Sequence, residues 1–146
     1  MVTEEGKEIE SIVRLARIGY ENVVGYIKGG ITNWILAGEQ TDKIISISVA
    51  GAEKLENPVI LDVRKPSERE TSFIKNSVFI TLSELPAKAE TLDKTKTYAV
   101  YCAGGYRSVI ACSLLKKAGI TKVYNIPGGI AKVKESAPEF VEFVAI

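Results

Sequence analysis

The sequence predicts an α/β fold, a mostly parallel sheet with helices on both faces, and two observations predict it. From residue 44 onward, short runs rich in Val, Ile and Tyr alternate with helical stretches, the pattern of strands joined by crossover helices. Two of those runs, "PVILDV" and "TYAVYC", lack strict apolar–polar alternation, as expected of central strands covered on both faces.

Each element follows in order. The expected strands are Ile44–Ser48 ("IISIS"), Pro58–Val63, Val78–Ile80 ("VFI"), Thr97–Cys102 and Lys122–Ile126 ("KVYNI"). Helices are expected between them, one opening near Pro66, one over Ser83–Leu92 and one over Ser108–Gly119. The last carries Val109, Cys112 and Leu115 on one face and ends on a glycine suited to a helix C-cap. Together these make one domain, residues 42–146.

Residues 1–41 read differently. "LARIGYENVVGYIKGGI" (Leu15–Ile31) parallels "LKKAGITKVYNIPGGI" (Leu115–Ile130): Leu15, Gly19 and Val23 fall on Leu115, Gly119 and Val123. One further residue brings Gly29–Gly30–Ile31 onto Gly128–Gly129–Ile130, so helix, glycine, strand and double-glycine turn recur in one order. Continued backwards, the offset of 100 sets Val2 against Cys102 and Lys7 against Arg107, so that "VTEEGKE" stands where "CAGGYRS" stands later. Residues 1–41 are therefore expected to be the C-terminal remnant of a degenerate repeat, a helix–strand–helix piece. Such a piece cannot bury its own apolar face, so it is expected to lean on the second domain or on another chain, and a dimer through residues 1–41 is one form of this. The same logic makes the chain the expected C-terminal part of a larger protein.

Composition narrows the function classes. The 146 residues are 46% hydrophobic and 25% charged, as in an ordinary soluble domain. A formal net charge of +1 argues against a broad nucleic-acid footprint. No apolar run approaches the roughly 20 residues that span a bilayer, and the acidic start "MVTEEGKEIE" is unlike a secretory signal. Two cysteines without such a signal predict free thiols in a reducing compartment, the cytoplasm.

The candidate chemistry lies in "YCAGGYRS", Tyr101–Ser108. Cys102 is expected at the C-terminal end of a central strand, where open α/β sheets bind ligands. Gly104 and Gly105 are expected to take positive φ and turn successive N–H groups inward. With the N-terminus of the following helix, such a nest favours an anion. The chain has no histidine, yet a loop that holds a thiolate directly needs no base. A free cysteine titrates near about pH 8.5, and helix N-termini or cations lower that value. A shift of about two units is worth roughly 2.7 kcal/mol, within reach of a few N–H groups and Arg107. The site offers no evident acid or base, which suits transfer between sulfur atoms better than amide hydrolysis. Cys112 shares a helix face with Val109 and Leu115 and is expected in the core, with no disulfide to Cys102.

These residues resemble the rhodanese family. "CAGGYRS" is similar to its active-site loop, C-x-x-G-x-R with Ser often following, through Cys102, Gly105, Arg107 and Ser108. "ILDVRKPSE" resembles its D-V-R…E signature through Asp62, Arg64 and Glu68, and "GITKVYNIPGGI" its closing strand and double-glycine turn. The resemblance implies a three-layer α/β/α domain with a five-stranded parallel sheet. It also implies a sulfurtransferase cycle without a cofactor or metal, in which Cys102 carries sulfane sulfur from a small donor, thiosulfate or a persulfide, to a thiol or cyanide. The N–H groups of Ala103, Gly104, Gly105, Tyr106 and Arg107 would cradle the persulfide, with Ser108 beside them. Arg107 would anchor the loop or meet an anionic donor, and Asp62 and Arg64 would hold the loop from behind. Departures are Ser72 and Phe73, where the family commonly has a G-H-I motif, and Arg69, where an aromatic residue is common. A degenerate copy before an intact one resembles the C-terminal half of fusions that begin with a metallo-β-lactamase-fold persulfide dioxygenase. That metal domain would be a fused or associated partner, since no histidine is present here to ligate a metal.

Two other classes remain open. A cysteine phosphatase or arsenate reductase uses a similar loop, usually with one more residue between cysteine and arginine than the four found here. A non-catalytic interaction module would dock partners through the loop and need no thiolate.

Overall fold

The computed structural model describes residues 1–17 and 21–144. The chain divides into two compact units, Met1–Lys43 and Ile44–Ile146.

The second unit is built on five parallel strands: β1 (Ile45–Ser46), β2 (Pro58–Asp62), β4 (Val78–Phe79), β5 (Thr97–Tyr101) and β6 (Val123–Asn125), in the order β1-β6-β5-β2-β4. All five expected strands are there, each somewhat shorter than its apolar run. β5 is buried at every position, which explains why its sequence does not alternate. Its side chains still alternate between faces. Tyr98, Val100 and Cys102 enter one core layer with Leu61, Leu85, Leu115 and Ile120, whereas Ala99 and Tyr101 enter the other with Ile60, Ile126, Ile130 and Val133. Full burial of a Leu or Ile side chain contributes roughly 1.5–3 kcal/mol, so the two layers fix this strand from both sides.

The helices of this unit are α3 (Val49–Ala52), α4 (Pro66–Arg69), α5 (Leu85–Lys88, continued by a 3-10 turn at Ala89–Thr91), α6 (Tyr106–Lys117) and α7 (Gly129–Ser136). α6 starts at Tyr106, ahead of the Arg107 or Ser108 expected from sequence, because Gly105 takes the left-handed conformation that precedes its first turn. A second, two-stranded antiparallel sheet joins β3 (Ser72–Ile74) to β7 (Val141–Phe143). Neither strand was among those expected, since runs of three residues carry too little periodicity to read.

The first unit contains α1 (Glu8–Ala16) and α2 (Gly30–Leu36). The described residues around Val23 form no strand, where one was expected; the chain there makes two backbone hydrogen bonds to Met1 instead. The Met1 amino group donates to the Gly25 carbonyl (2.7 Å) and the Ile27 N–H to the Met1 carbonyl (3.0 Å). Gly19, matched to Gly119 in the sequence, lies outside the described residues. The turns set a different register from the sequence offset. Gly29 and Gly30 (φ 74° and 62°) open α2 as Gly128 and Gly129 (φ 72° and 57°) open α7, and Gly6 (φ 81°) lies before α1 as Gly105 (φ 110°) lies before α6. A Cβ on Gly30 would meet the Thr3 carbonyl at 2.7 Å, and one on Gly129 the Cys102 carbonyl. Thr3, Gly6 and Gly30 each stand 99 positions before Cys102, Gly105 and Gly129.

Candidate active site

The parallel register pairs Asp62 with Tyr101, so β2 and β5 end side by side and release their loops at one edge. Cys102 is the first residue beyond β5, and only 1% of its surface is exposed. The chain turns back at Gly105, whose N–H points at the Cys102 Sγ from 3.1 Å. Ser108, fully buried in the first turns of α6, places its Oγ 3.6 Å from the same sulfur and 2.9 Å from the Gly105 carbonyl, so its one hydroxyl proton serves that carbonyl beside the neutral thiol and can turn to the sulfur when it ionises. Burial works against ionisation of Cys102 and is the largest single influence. The Ser108 hydroxyl and the N–H groups of Ser108, Gly105 and Gly104 together outweigh it and hold the thiol below its ordinary pKa. The geometry therefore builds a thiolate from oriented dipoles, with no base in contact.

Only one of the two loop glycines needs its conformational freedom. Gly105 is left-handed, whereas Gly104 is not among the residues at positive φ, and a Cβ there would meet nothing within 4 Å. The expectation that both would curl the loop is corrected accordingly. Gly104 nevertheless contributes its N–H to the sulfur. The Tyr106 side chain is 89% exposed. With Gly104, Gly105, Val109 and Ile110 it lines an open depression of about 490 Å³ over the loop.

Arg107 grips Glu68 with both terminal nitrogens, each bond 2.7 Å long. The hydrogen bond from Arg107 is the main reason the Glu68 carboxyl lies at about 2, and the same pair raises the Arg107 pKa. The guanidinium thus ties α6 to α4, and it also interacts electrostatically with Cys102. Glu68 also accepts from the Lys65 N–H at 2.9 Å.

Behind the loop, the fully buried Asp62 carboxylate accepts five hydrogen bonds. Three come from Arg64, through its backbone N–H (3.1 Å), Nε (2.9 Å) and a terminal nitrogen (2.7 Å). The others come from the Tyr101 hydroxyl (2.7 Å) and Arg69 (3.1 Å). Arg64 continues to the carbonyls of Glu68 (3.1 Å) and Ser72 (2.7 Å). Arg69, the departure noted in the sequence, stacks over the rings of Phe73 and Phe79 with centroids at 4.3 and 5.3 Å and also binds Ser77. A buried charge is tolerated only when paired and hydrogen-bonded, and this one is. Asp62 and Arg64 lie behind the loop and none of their hydrogen bonds goes to Cys102.

Sequence reasoning missed Tyr101 as the link between this network and the strand that carries the cysteine. Its hydroxyl also receives the Ile74 N–H at 3.1 Å, and burial, then Asp62, pushes its pKa up to about 12. Its position directly before Cys102 was the available signal. Cys112 is fully buried, donates weakly to the Tyr124 carbonyl at 3.5 Å, and is pushed by burial up to about 12.

The chain is matched over residues 50–136 by the family model described as Rhodanese-like domain. It is similar to YtwF of Bacillus subtilis (strain 168), provisionally named a sulfurtransferase. The two are 37% identical over 75 residues, which cover 51% of this chain and 72% of that protein. A protein named tRNA uridine(34) hydroxylase from Corynebacterium aurimucosum is 31% identical over 118 residues, 76% of this chain but only 35% of that protein's length. Among solved structures, a rhodanese-related protein from Thermoplasma volcanium superposes with a TM-score of 0.58 at 36% identity, covering 64% of this chain and 93% of that one.

Proposed function

The chain belongs to the family of rhodanese-like domains, and on that premise we propose that it is a sulfurtransferase working through a Cys102 persulfide. The Cys102 thiolate attacks the outer sulfur of thiosulfate, forming a Cys102 S–S bond as the donor's S–S bond breaks and sulfite leaves with the electron pair. A persulfide donor reacts in the same way and releases its thiolate. An acceptor thiolate or cyanide then takes the terminal sulfur and returns Cys102 to thiolate. Neither step needs a proton or an outside oxidant, which matches a site that has dipoles and no base.

The observation that carries this reading is the Gly105 N–H at 3.1 Å from the buried Cys102 sulfur, joined by a lowered pKa. A phosphatase is disfavoured because only four residues separate Cys102 from Arg107, one fewer than phosphatase loops usually carry, a tighter ring better matched to a single added sulfur. An interaction module has no use for a stabilised thiolate.

Incubation with thiosulfate or glutathione persulfide is expected to add one sulfur atom to the intact mass, lost on addition of cyanide or a thiol. Cys102→Ser is expected to abolish both loading and transfer. Phosphate-ester hydrolysis without any sulfur adduct would overturn the assignment.

We further propose that residues 1–41 are the degenerate copy described above, with Thr3 where the cysteine stands. A fused or associated metal-dependent domain that processes persulfides would suit this cycle as its source or sink of sulfur. The size of the gene product in its native cells tests that arrangement.

A further inference from the structure

The anion cradle has a rear wall that the proposed cycle leaves unexplained. The peptides following Cys102 and Ala103 turn their carbonyls to α7, which receives both. The Ile130 N–H donates to the Cys102 carbonyl at 2.8 Å, and the Ala131 N–H to the Ala103 carbonyl at 3.2 Å. These are first-turn amides of a helix, groups with no partner inside their own helix, so the loop and the helix satisfy each other.

The consequence for the sulfur follows from peptide geometry. In a planar trans peptide the C=O and N–H point in opposite directions. Holding the Ala103 carbonyl outward therefore aims the Gly104 N–H, its partner in the same plane, toward the sulfur side. Gly104 N–H is one of the groups that act on Cys102.

The close approach requires Gly129. A Cβ there would collide with the carbonyl oxygen of Cys102 and lie 2.6 Å from that of Ala103, both rigid backbone atoms of the loop. Gly129 also has φ +57°. Gly128 shares the strain, with φ +72°, but a Cβ there would first meet the Lys132 side chain, at 2.6 Å. The two neighbours thus separate the cost of a left-handed backbone from pressure on the loop.

We infer that the first turn of α7 belongs to the apparatus that shapes the Cys102 loop, with Gly129 as a positioning residue acting through the loop backbone. The inference rests on the reading of Cys102 as a thiolate nucleophile. It is tested by the pH dependence of Cys102 alkylation with iodoacetamide, measured together with sulfur loading and the thermal midpoint.

Gly129→Ala is expected to raise the apparent Cys102 pKa by about one unit, and so to lower loading at neutral pH by up to about tenfold. Gly128→Ala is expected to lower the thermal midpoint while leaving the alkylation profile native. A folded Gly129→Ala with a native profile would overturn the inference, as would a Gly128→Ala that shifts the profile equally. Should Gly129→Ala not fold, replacing the Ala131 backbone amide by an ester removes the same contact without adding an atom. A raised alkylation pKa is expected there, and an unchanged one overturns the inference. If native Cys102 itself titrated as an ordinary thiol, the sulfur-transfer reading would fail. A native profile in the Gly129 variant would leave that reading standing and remove only the role of Gly129.

Discussion

Two cysteines in one chain show what separates a reactive thiol from a core side chain. Both are buried, and burial alone pushes a thiol's pKa up. Cys112 donates to the Tyr124 carbonyl, and burial outweighs the nearby Lys116 charge and carries it up to about 12. Cys102 meets N–H groups and the Ser108 hydroxyl and is lowered. Ser108→Ala is therefore expected to raise the pH midpoint of Cys102 alkylation while leaving Cys112 unlabelled, as peptide mapping would show. An unshifted midpoint would assign the thiolate to the backbone alone. At this scale Cys102, Gly105 and Ser108 were legible in the sequence, because residue type and spacing specify them. The separate fates of Gly104 and Arg107 were not, because they depend on a φ angle and on a carboxylate far away in the chain.

The site is held together by pairs of elements, and the α4–α6 tie between Glu68 and Arg107 is the one most open to pH. Glu68 has its folded pKa depressed from 4.5 to about 2. Its contribution to stability is thus complete above about 4.5 and is lost as pH falls toward about 2. The stability advantage of the native chain over Glu68→Gln, from urea unfolding, is expected to shrink between neutral pH and about pH 3. A difference independent of pH would mean that the pair holds nothing. The five parallel strands and α6 could be read from sequence because their apolar runs are long enough to show a pattern. β3 and β7 could not, since three residues form a strand only when a partner is already in place. The role of α7 was hidden for another reason: "PGGI" announces a turn, but not what that turn presses against.

At the scale of the molecule, the residues described around the sulfur, Gly104, Gly105 and Ser108, all belong to the unit Ile44–Ile146. A fragment of residues 44–146 is therefore expected to take up one sulfur atom as the whole chain does, measured by intact mass. A folded fragment that failed to load would place part of the function in residues 1–43. Those first residues share with the second unit their left-handed glycines ahead of helices, the feature on which their reading as a second copy rests. The inert state of Cys112 also bears on the whole chain. With only two cysteines present, and one of them locked as a neutral thiol in the core, a sulfur atom parked on Cys102 has no neighbour within the chain that could expel it as sulfide by closing a disulfide. Under the proposed cycle the protein is a one-berth carrier: the cargo stays until an outside molecule collects it, and the waiting time is set by the visitor.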